Sequence, residues 1–293
     1  MVTKPRDDTP HRTESGWLRM LHPTAIRVPL SGRHLCEDLR SRLTESGAFV
    51  YSNFITSLDG RIAIADPATG LLGIPAQIAN PRDWRLLLEL AAPADAVLLS
   101  GRHVRELGTG TAQAWPPFAD GAPKDLLEFR ERWSLPSQPA LAIITRSLDL
   151  PMHVIERLAA GRKVIIATVN DAPQAAFEAA GDAGAEVLRL CDGSVEGKRL
   201  VRALSERGHR LIYSTAGPEV FHLLLRARVL QRLYLTTVTR ILGGIDHATL
   251  VLGERLTPPF DLSLSALYLD AGGADGVDQL MQVYDRTDAA DCG

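Results

Sequence analysis

The stretch Val50-Tyr51-Ser52-Asn53-Phe54-Ile55-Thr56-Ser57-Leu58-Asp59-Gly60-Arg61-Ile62-Ala63 decides the reading of this chain. Its first half is apolar, β-branched and aromatic, the composition of a core strand. Its second half turns small and polar and ends in a carboxylate and a glycine. A strand of this kind delivers Ser57 and Asp59 to the mouth of a cleft, and Gly60 allows a turn with positive φ just beyond. The same residue types also make an ordinary strand exit, because Ser, Asp and Gly are common in turns. The surrounding chain has to separate the two.

Outward from this stretch, short apolar runs alternate with amphipathic ones. Residues 95–100, 140–145, 163–168, 186–190 and 210–214 are near-continuous apolar runs, the pattern of strands buried on both faces. Between them, residues 83–91, 124–133, 172–180, 196–207 and 219–228 carry helical periodicity. This alternation predicts an α/β fold: a mostly parallel central sheet with helices on both faces. Residues 232–238 read as another strand. Two further extended runs, 260–269 and 280–284, flank the turn signal Asp270-Ala271-Gly272-Gly273-Ala274-Asp275-Gly276, which predicts a C-terminal antiparallel hairpin. Residues 108–123, rich in Gly, Thr, Ala and Pro, read as a long surface loop. No internal repeat or linker is visible. The expected organisation is a polar, partly disordered leader at 1–45 and a single domain at 46–287.

With 293 residues, 45 % hydrophobic content and a net charge of −3, the chain has the balance of a globular protein without a nucleic-acid or membrane partner. No apolar run approaches the ~20 residues that span a bilayer. The first fifteen residues lack the apolar core of a signal peptide, so the expected location is cytoplasmic. Cys36, Cys191 and Cys292 are odd in number and far apart, and the eight histidines are scattered outside any metal-binding spacing. Neither a disulfide framework nor a metal site is expected.

Two strand–glycine–helix junctions carry the binding argument. Val97-Leu98-Leu99-Ser100 runs into Gly101-Arg102-His103-Val104, and Leu211-Ile212-Tyr213-Ser214 runs into Thr215-Ala216-Gly217-Pro218-Glu219. Glycine lets a backbone approach a ligand, Pro218 suits a first helical turn, and a helix N-terminus offers free N–H groups to a phosphate. Thr145-Arg146-Ser147, at another strand end, adds hydroxyls and a guanidinium suited to a phosphate monoester such as the 2′-phosphate of NADPH. Most such junctions bind nothing, and Arg102 and His103 also fit an ordinary solvated first turn. Gly108-Thr109-Gly110-Thr111-Ala112 lacks the spacing and context of a dinucleotide fingerprint, and nucleophile-elbow and P-loop motifs are absent.

In this order, Asn53 to Ala63, Ala94 to Arg102, Thr145-Arg146-Ser147, Ala216-Gly217-Pro218-Glu219 and Thr239-Arg240-Ile241-Leu242-Gly243-Gly244 resemble the pyrimidine reductase of riboflavin biosynthesis. That protein is the reductase half of a bifunctional deaminase–reductase, in the dihydrofolate-reductase-like superfamily. The resemblance covers roughly residues 48–285, and the deaminase half's zinc motif is not found. It implies NADPH at the sheet edge, hydride transfer to the ribosyl carbon of a phosphoribosylaminopyrimidine, and a homodimer. Carried over by position, Ser57 and Asp59 lie beside nicotinamide and substrate, with Asp59 or a water it holds as the acid. Asn53, Ser57 and Thr215 face the substrate. Gly101, Arg102, His103, Thr145, Arg146, Ser147, Thr215, Ala216, Gly217, Pro218, Gly243 and Gly244 line the cofactor. Three positions depart from the family pattern: Thr215 replaces a carboxylate, His103 a threonine, and Leu88 an arginine for the substrate phosphate. A later Leu-x-Val-Arg segment is missing. These departures leave room for an NADPH-dependent reductase of a dihydropterin or other small heterocycle, or for an inactive nucleotide-binding relative.

Overall fold

The structure, a computed structural model, describes residues 17–44, 47–119 and 121–287. Strands β1 (Trp17–His22) and β2 (Ile26–Pro29) lead, through two short 3-10 turns, into β3 (Phe49–Ser57), the short β4 (Ala63–Ala65) and β5 (Leu72–Gly73) and helix α1 (Pro81–Ala91). Next come β6 (Ala96–Ser100), α2 (Gly101–Thr109), α3 (Lys124–Arg132), β7 (Ala140–Ile144), α4 (Met152–Ala159), β8 (Val164–Val169), α5 (Gln174–Asp182) and β9 (Ala185–Cys191). The chain closes with α6 (Gly197–Ser205), β10 (Leu211–Ser214), α7 (Pro218–Arg226), β11 (Leu230–Val238), β12 (His247–Ala248), β13 (Leu262–Asp270) and β14 (Gln279–Arg286).

Eleven strands form one sheet in the order β2-β1-β13-β14-β11-β3-β10-β6-β7-β8-β9, and β12-β4-β5 form a small second sheet. From β11 to β9 the pairing is parallel; from β11 outward through β14, β13, β1 and β2 it is antiparallel. The expected α/β class, mostly parallel with a C-terminal antiparallel hairpin, is what the chain forms. The cause is visible in the strands: all six residues of β8 are buried, as apolar strands covered on both faces must be.

Alternation along β3 separates the two faces. Tyr51 donates its hydroxyl to the Leu90 carbonyl of α1 at 2.6 Å, whereas Phe54 packs its ring on Phe221 of α7 at 4.9 Å between centroids. Strand order runs outward from β3 to β9 and then doubles back to β10 and β11, so right-handed crossovers put α1 and α7 on opposite faces.

Two expectations are corrected. Residues 17–44, read as part of a polar leader, are built into the domain: β1 pairs with β13, and Leu18, Val28, Leu30 and Leu39 are buried in the core. Polar side chains disguised this segment, because its charges are paired. The fully buried Glu89 accepts from the Gly32 and His34 amides at 2.5 and 3.0 Å, and Glu37 accepts from Arg232 at 2.7 Å. Residues 1–16 lie outside the described residues. The segment 108–123 is likewise no plain surface loop: α2 extends to Thr109, Phe118 is 2 % exposed, and the Arg157 guanidinium stacks on Trp115 at 3.7 Å. Its aromatic residues anchor it.

Candidate active site

Strand β10 is short, and that decides where a ligand can enter. Its last residue, Ser214, pairs with Ser52 of β3 and Leu98 of β6. Strand β3 then continues five residues to Ser57, about 16 Å at ~3.3 Å per residue, and β6 continues two to Ser100. The sheet therefore has a notch at its carboxyl-end edge. It is also where the helix following β3 and the helix following β10 leave to opposite faces, the topological switch at which open parallel sheets hold ligands.

Into the notch run Thr215, Ala216 and Gly217, then α7. Pro218 takes the first helical turn as expected, and no side chain caps this N-terminus. A Cβ at Gly217 would meet nothing, so the approach is open. Beside it, α2 begins at Gly101 with Ser100 Oγ accepting from the His103 amide at 3.2 Å. Gly101 is required for packing: a Cβ there would lie 2.9 Å from Thr145 Cβ. Thr145 is buried at the end of β7, and Arg146 and Ser147 are exposed next to it. Ser147 Oγ accepts from the Asp149 amide, while the Arg146 guanidinium has no partner among the described residues. Arg102 is paired with Glu106 at 2.8 Å, the solvated-turn arrangement. Burial pushes the half-buried His103 below the usual imidazole pKa, so this ring is neutral at neutral pH.

The opening motif folds into a closed knot. Ser57 Oγ donates to Asp59 Oδ1 at 2.5 Å and accepts from the Arg61 amide at 3.0 Å. Asp59 also accepts from the Gly243 amide at 2.9 Å, the Leu242 amide at 3.3 Å and the Arg61 guanidinium. Arg61 reaches on to the Gly244 carbonyl at 3.0 Å. Gly60 has φ +82°, Gly243 +68° and Gly244 +96°, conformations that favour glycine. The Ser57 hydroxyl bond, then the Gly243 amide, hold the Asp59 carboxyl well below the ordinary range. Asp59 is therefore a fixed anion that ties the end of β3 to the 240–244 loop, and a poor proton donor.

A different carboxyl occupies the α1 face. Residues Asn53, Ile55 and Ser57 of β3 share this face with Tyr234, Thr236 and Val238 of β11, which lie opposite them in register. Asn53 Oδ1 accepts from the Tyr213 hydroxyl at 2.5 Å. Above this pair, Asp83 of α1 is 8 % exposed and bonds the Thr236 hydroxyl; no ion-pair partner stands against it among the described residues. Burial raises its pKa to about 6. The sequence hid this residue. Asn80-Pro81-Arg82-Asp83 reads as a helix cap followed by a first-turn acid, and Asn80 Oδ1 does accept from the Asp83 amide at 3.0 Å. Only the packing of α1 on β11 turns the side chain to the sheet. Leu88, at the position where an arginine was expected, is buried in the core.

Among curated proteins none matches the chain. A pyrimidine reductase-like protein from Corynebacterium diphtheriae has the same fold, with a TM-score of 0.65 at 19 % identity over 82 % of this chain and 92 % of that one. RibD from Acinetobacter baumannii gives 0.57 at 16 % identity, over 86 % of this chain and 64 % of that chain. A diaminohydroxyphosphoribosylaminopyrimidine deaminase/5-amino-6-(5-phosphoribosylamino)uracil reductase from Thermotoga maritima gives 0.53 at 19 %, over 86 % and 60 %. Residues 48–270 match the RibD C-terminal domain, so the chain belongs to that family, as the motifs implied.

Proposed function

We propose that this protein is an NADPH-dependent reductase acting on a pyrimidine or a related small heterocycle, as a homodimer in the cytoplasm. The observation that carries the reading is the notch at β10, filled by the uncapped N-terminus of α7. The free first-turn amides of α7, with Thr215, Ala216, Gly217 and Pro218, suit the cofactor pyrophosphate. The start of α2, with Gly101, Arg102 and His103, flanks it. Arg146, exposed and unpaired beside Thr145 and Ser147, suits the 2′-phosphate. Gly243 and Gly244 form the wall that Asp59 fixes, and Ser57, Asn53 and Thr215 face the substrate. When bound, the nicotinamide supplies the hydride.

The named activity of the Thermotoga maritima neighbour makes 5-amino-6-(5-phosphoribosylamino)uracil the first substrate to test. A second reading, a heterocycle without a phosphate, is favoured by the arginines around α1. Leu88 is in the core, Arg82 is paired with Asp270, Arg85 with Glu89 and Asp125, and Arg61 with Asp59. None of these is spare for a phosphate.

Titrating purified protein with NADPH and NADH, followed by tryptophan fluorescence, tests the cofactor. The expected result is micromolar binding that prefers NADPH and weakens about tenfold in Arg146→Ala, the loss of one charge-assisted contact of ~1.4 kcal/mol at an exposed site. No binding of either nucleotide at millimolar concentration would overturn the reading. Binding without turnover of any pyrimidine would leave a nucleotide-binding relative.

A further inference from the structure

Of the nine residues of β3, Asn53 alone is not buried. It is also the first residue of β3 beyond the last one paired with β10, since Ser52 lies opposite Ser214. The opening in the sheet therefore begins at the Asn53 side chain. Tyr213, the residue before Ser214, donates its hydroxyl to Asn53 Oδ1 at 2.5 Å. Its ring has no room to turn aside. It is fully buried and stacked on Tyr51, with 5.0 Å between centroids and 12° between planes, and Tyr51 is anchored in turn to the Leu90 carbonyl at 2.6 Å. Burial pushes the Tyr213 hydroxyl well above the usual phenol pKa, so it keeps its proton and acts as a donor. Among the described residues, Asn53 Oδ1 is its only acceptor. Tyr234, opposite Asn53 on β11, gives its own hydroxyl to Glu37 at 2.6 Å and is not available to Asn53.

A side-chain amide accepts at one end and donates at the other. With Oδ1 held by Tyr213, the two N–H bonds of Asn53 Nδ2 turn away from that tyrosine towards the opening. Nδ2 has no protein partner among the described residues and is not sealed from solvent. Resting on the reductase reading, we infer that Tyr213 is a positioning residue that locks the Asn53 amide with its donors outward, and that this lock selects the substrate. The ring it accepts presents a carbonyl oxygen or an unprotonated ring nitrogen at that point. A ring presenting only N–H there sets donor against donor and leaves both unpaired, which is how a fixed hydrogen-bonding group rejects a near-isostere. An asparagine free to turn would offer either end and discriminate between neither. The two residues are 160 positions apart, and Tyr213 in its sequence context reads as one more core aromatic.

The test uses the full chain with NADPH and 5-amino-6-(5-phosphoribosylamino)uracil, whose ring carries carbonyl acceptors. Tyr213→Phe keeps the stacked ring and removes only the hydroxyl. KM for the pyrimidine is expected to rise about tenfold, with kcat within about twofold of the parent and NADPH affinity unchanged. Asn53→Ala raises KM by at least as much, and adding Tyr213→Phe to it changes KM no further, because the hydroxyl then has nothing to orient. Ser52→Ala removes a buried bond of 2.8 Å to the Ser214 carbonyl, also between β3 and β10 but on the opposite face, and leaves KM unchanged. An unchanged KM in Tyr213→Phe, or effects of Tyr213→Phe and Asn53→Ala that simply add, overturn the inference. A parent that turns over nothing overturns the reductase reading instead, which separates the two failures. The lock is also read without substrate: by NMR relaxation the Asn53 side-chain amide is rigid in the parent and mobile in Tyr213→Phe. A mobile amide in the parent overturns the inference whatever the turnover shows.

Discussion

Asp59 and Asp83 lie near the same edge of one sheet and differ in almost everything that decides what a carboxyl does. Asp59 is partly exposed and surrounded by donors: a hydroxyl, two backbone amides and a guanidinium. Asp83 is buried against one neutral hydroxyl, and no cation stands within ion-pairing distance among the described residues. The first is therefore kept ionised and the second is pushed towards its neutral form. Motif position suggests that the acid of this site is Asp59; the count of donors says it is not. An aspartate within a conspicuous motif organises the loop, and one on a plain helix start is buried without an ion-pair partner among the described residues.

The largest effect should come from breaking the second carboxyl. With a pKa of about 6 in the fold against 3.8 unfolded, Asp83 opposes folding wherever the unfolded chain has already lost its proton. The penalty is absent below pH 4, grows between pH 4 and 6, and is complete above, at about 3 kcal/mol by ~1.36 kcal/mol per unit. Asp83→Asn is thus expected to be more stable than the parent at pH 7.5 and to lose that advantage at pH 4, as urea unfolding at both values would report. A variant less stable than the parent at pH 7.5 would break the contrast.

A smaller effect should follow at the knot. Gly243→Ala forces a Cβ into φ +68°, a strain of about 1–2 kcal/mol that falls on the 240–244 loop. Faster amide exchange at 240–244, with the core strands unchanged, is the expected pattern. The smallest effect concerns the same loop. Asp59→Asn removes the charged partner of Arg61 and should speed amide exchange at 240–244. Unchanged exchange there in Asp59→Asn would break the contrast.

Much of the fold was readable beforehand because it is written locally. The residues of β6, β7, β8 and β10 are apolar runs with polar ends, and the helices between them carry periodic faces, so the alternation was plain. The way residues 17–44 join the domain was not, because the polar groups of the stretch after β2 are satisfied by distant residues: Glu89 holds Gly32 and His34, and Arg232 holds Glu37. Charge that is paired across 50 or more positions looks like solvated charge in a sequence. In the site, Gly60, Gly217, Pro218 and Gly243 were legible because each answers a local backbone demand.

The sequence by itself determined the α/β class, the closing hairpin, the glycine turns and the strand ends that meet at one edge, since these follow from hydrophobic period and backbone conformation. Tertiary structure alone decided that β10 stops short and opens the notch, that Asp59 is saturated with donors, and that Asp83 is buried against Thr236. A side chain's protonation and reach are set by neighbours brought from other strands and helices, and no local pattern records who those neighbours are.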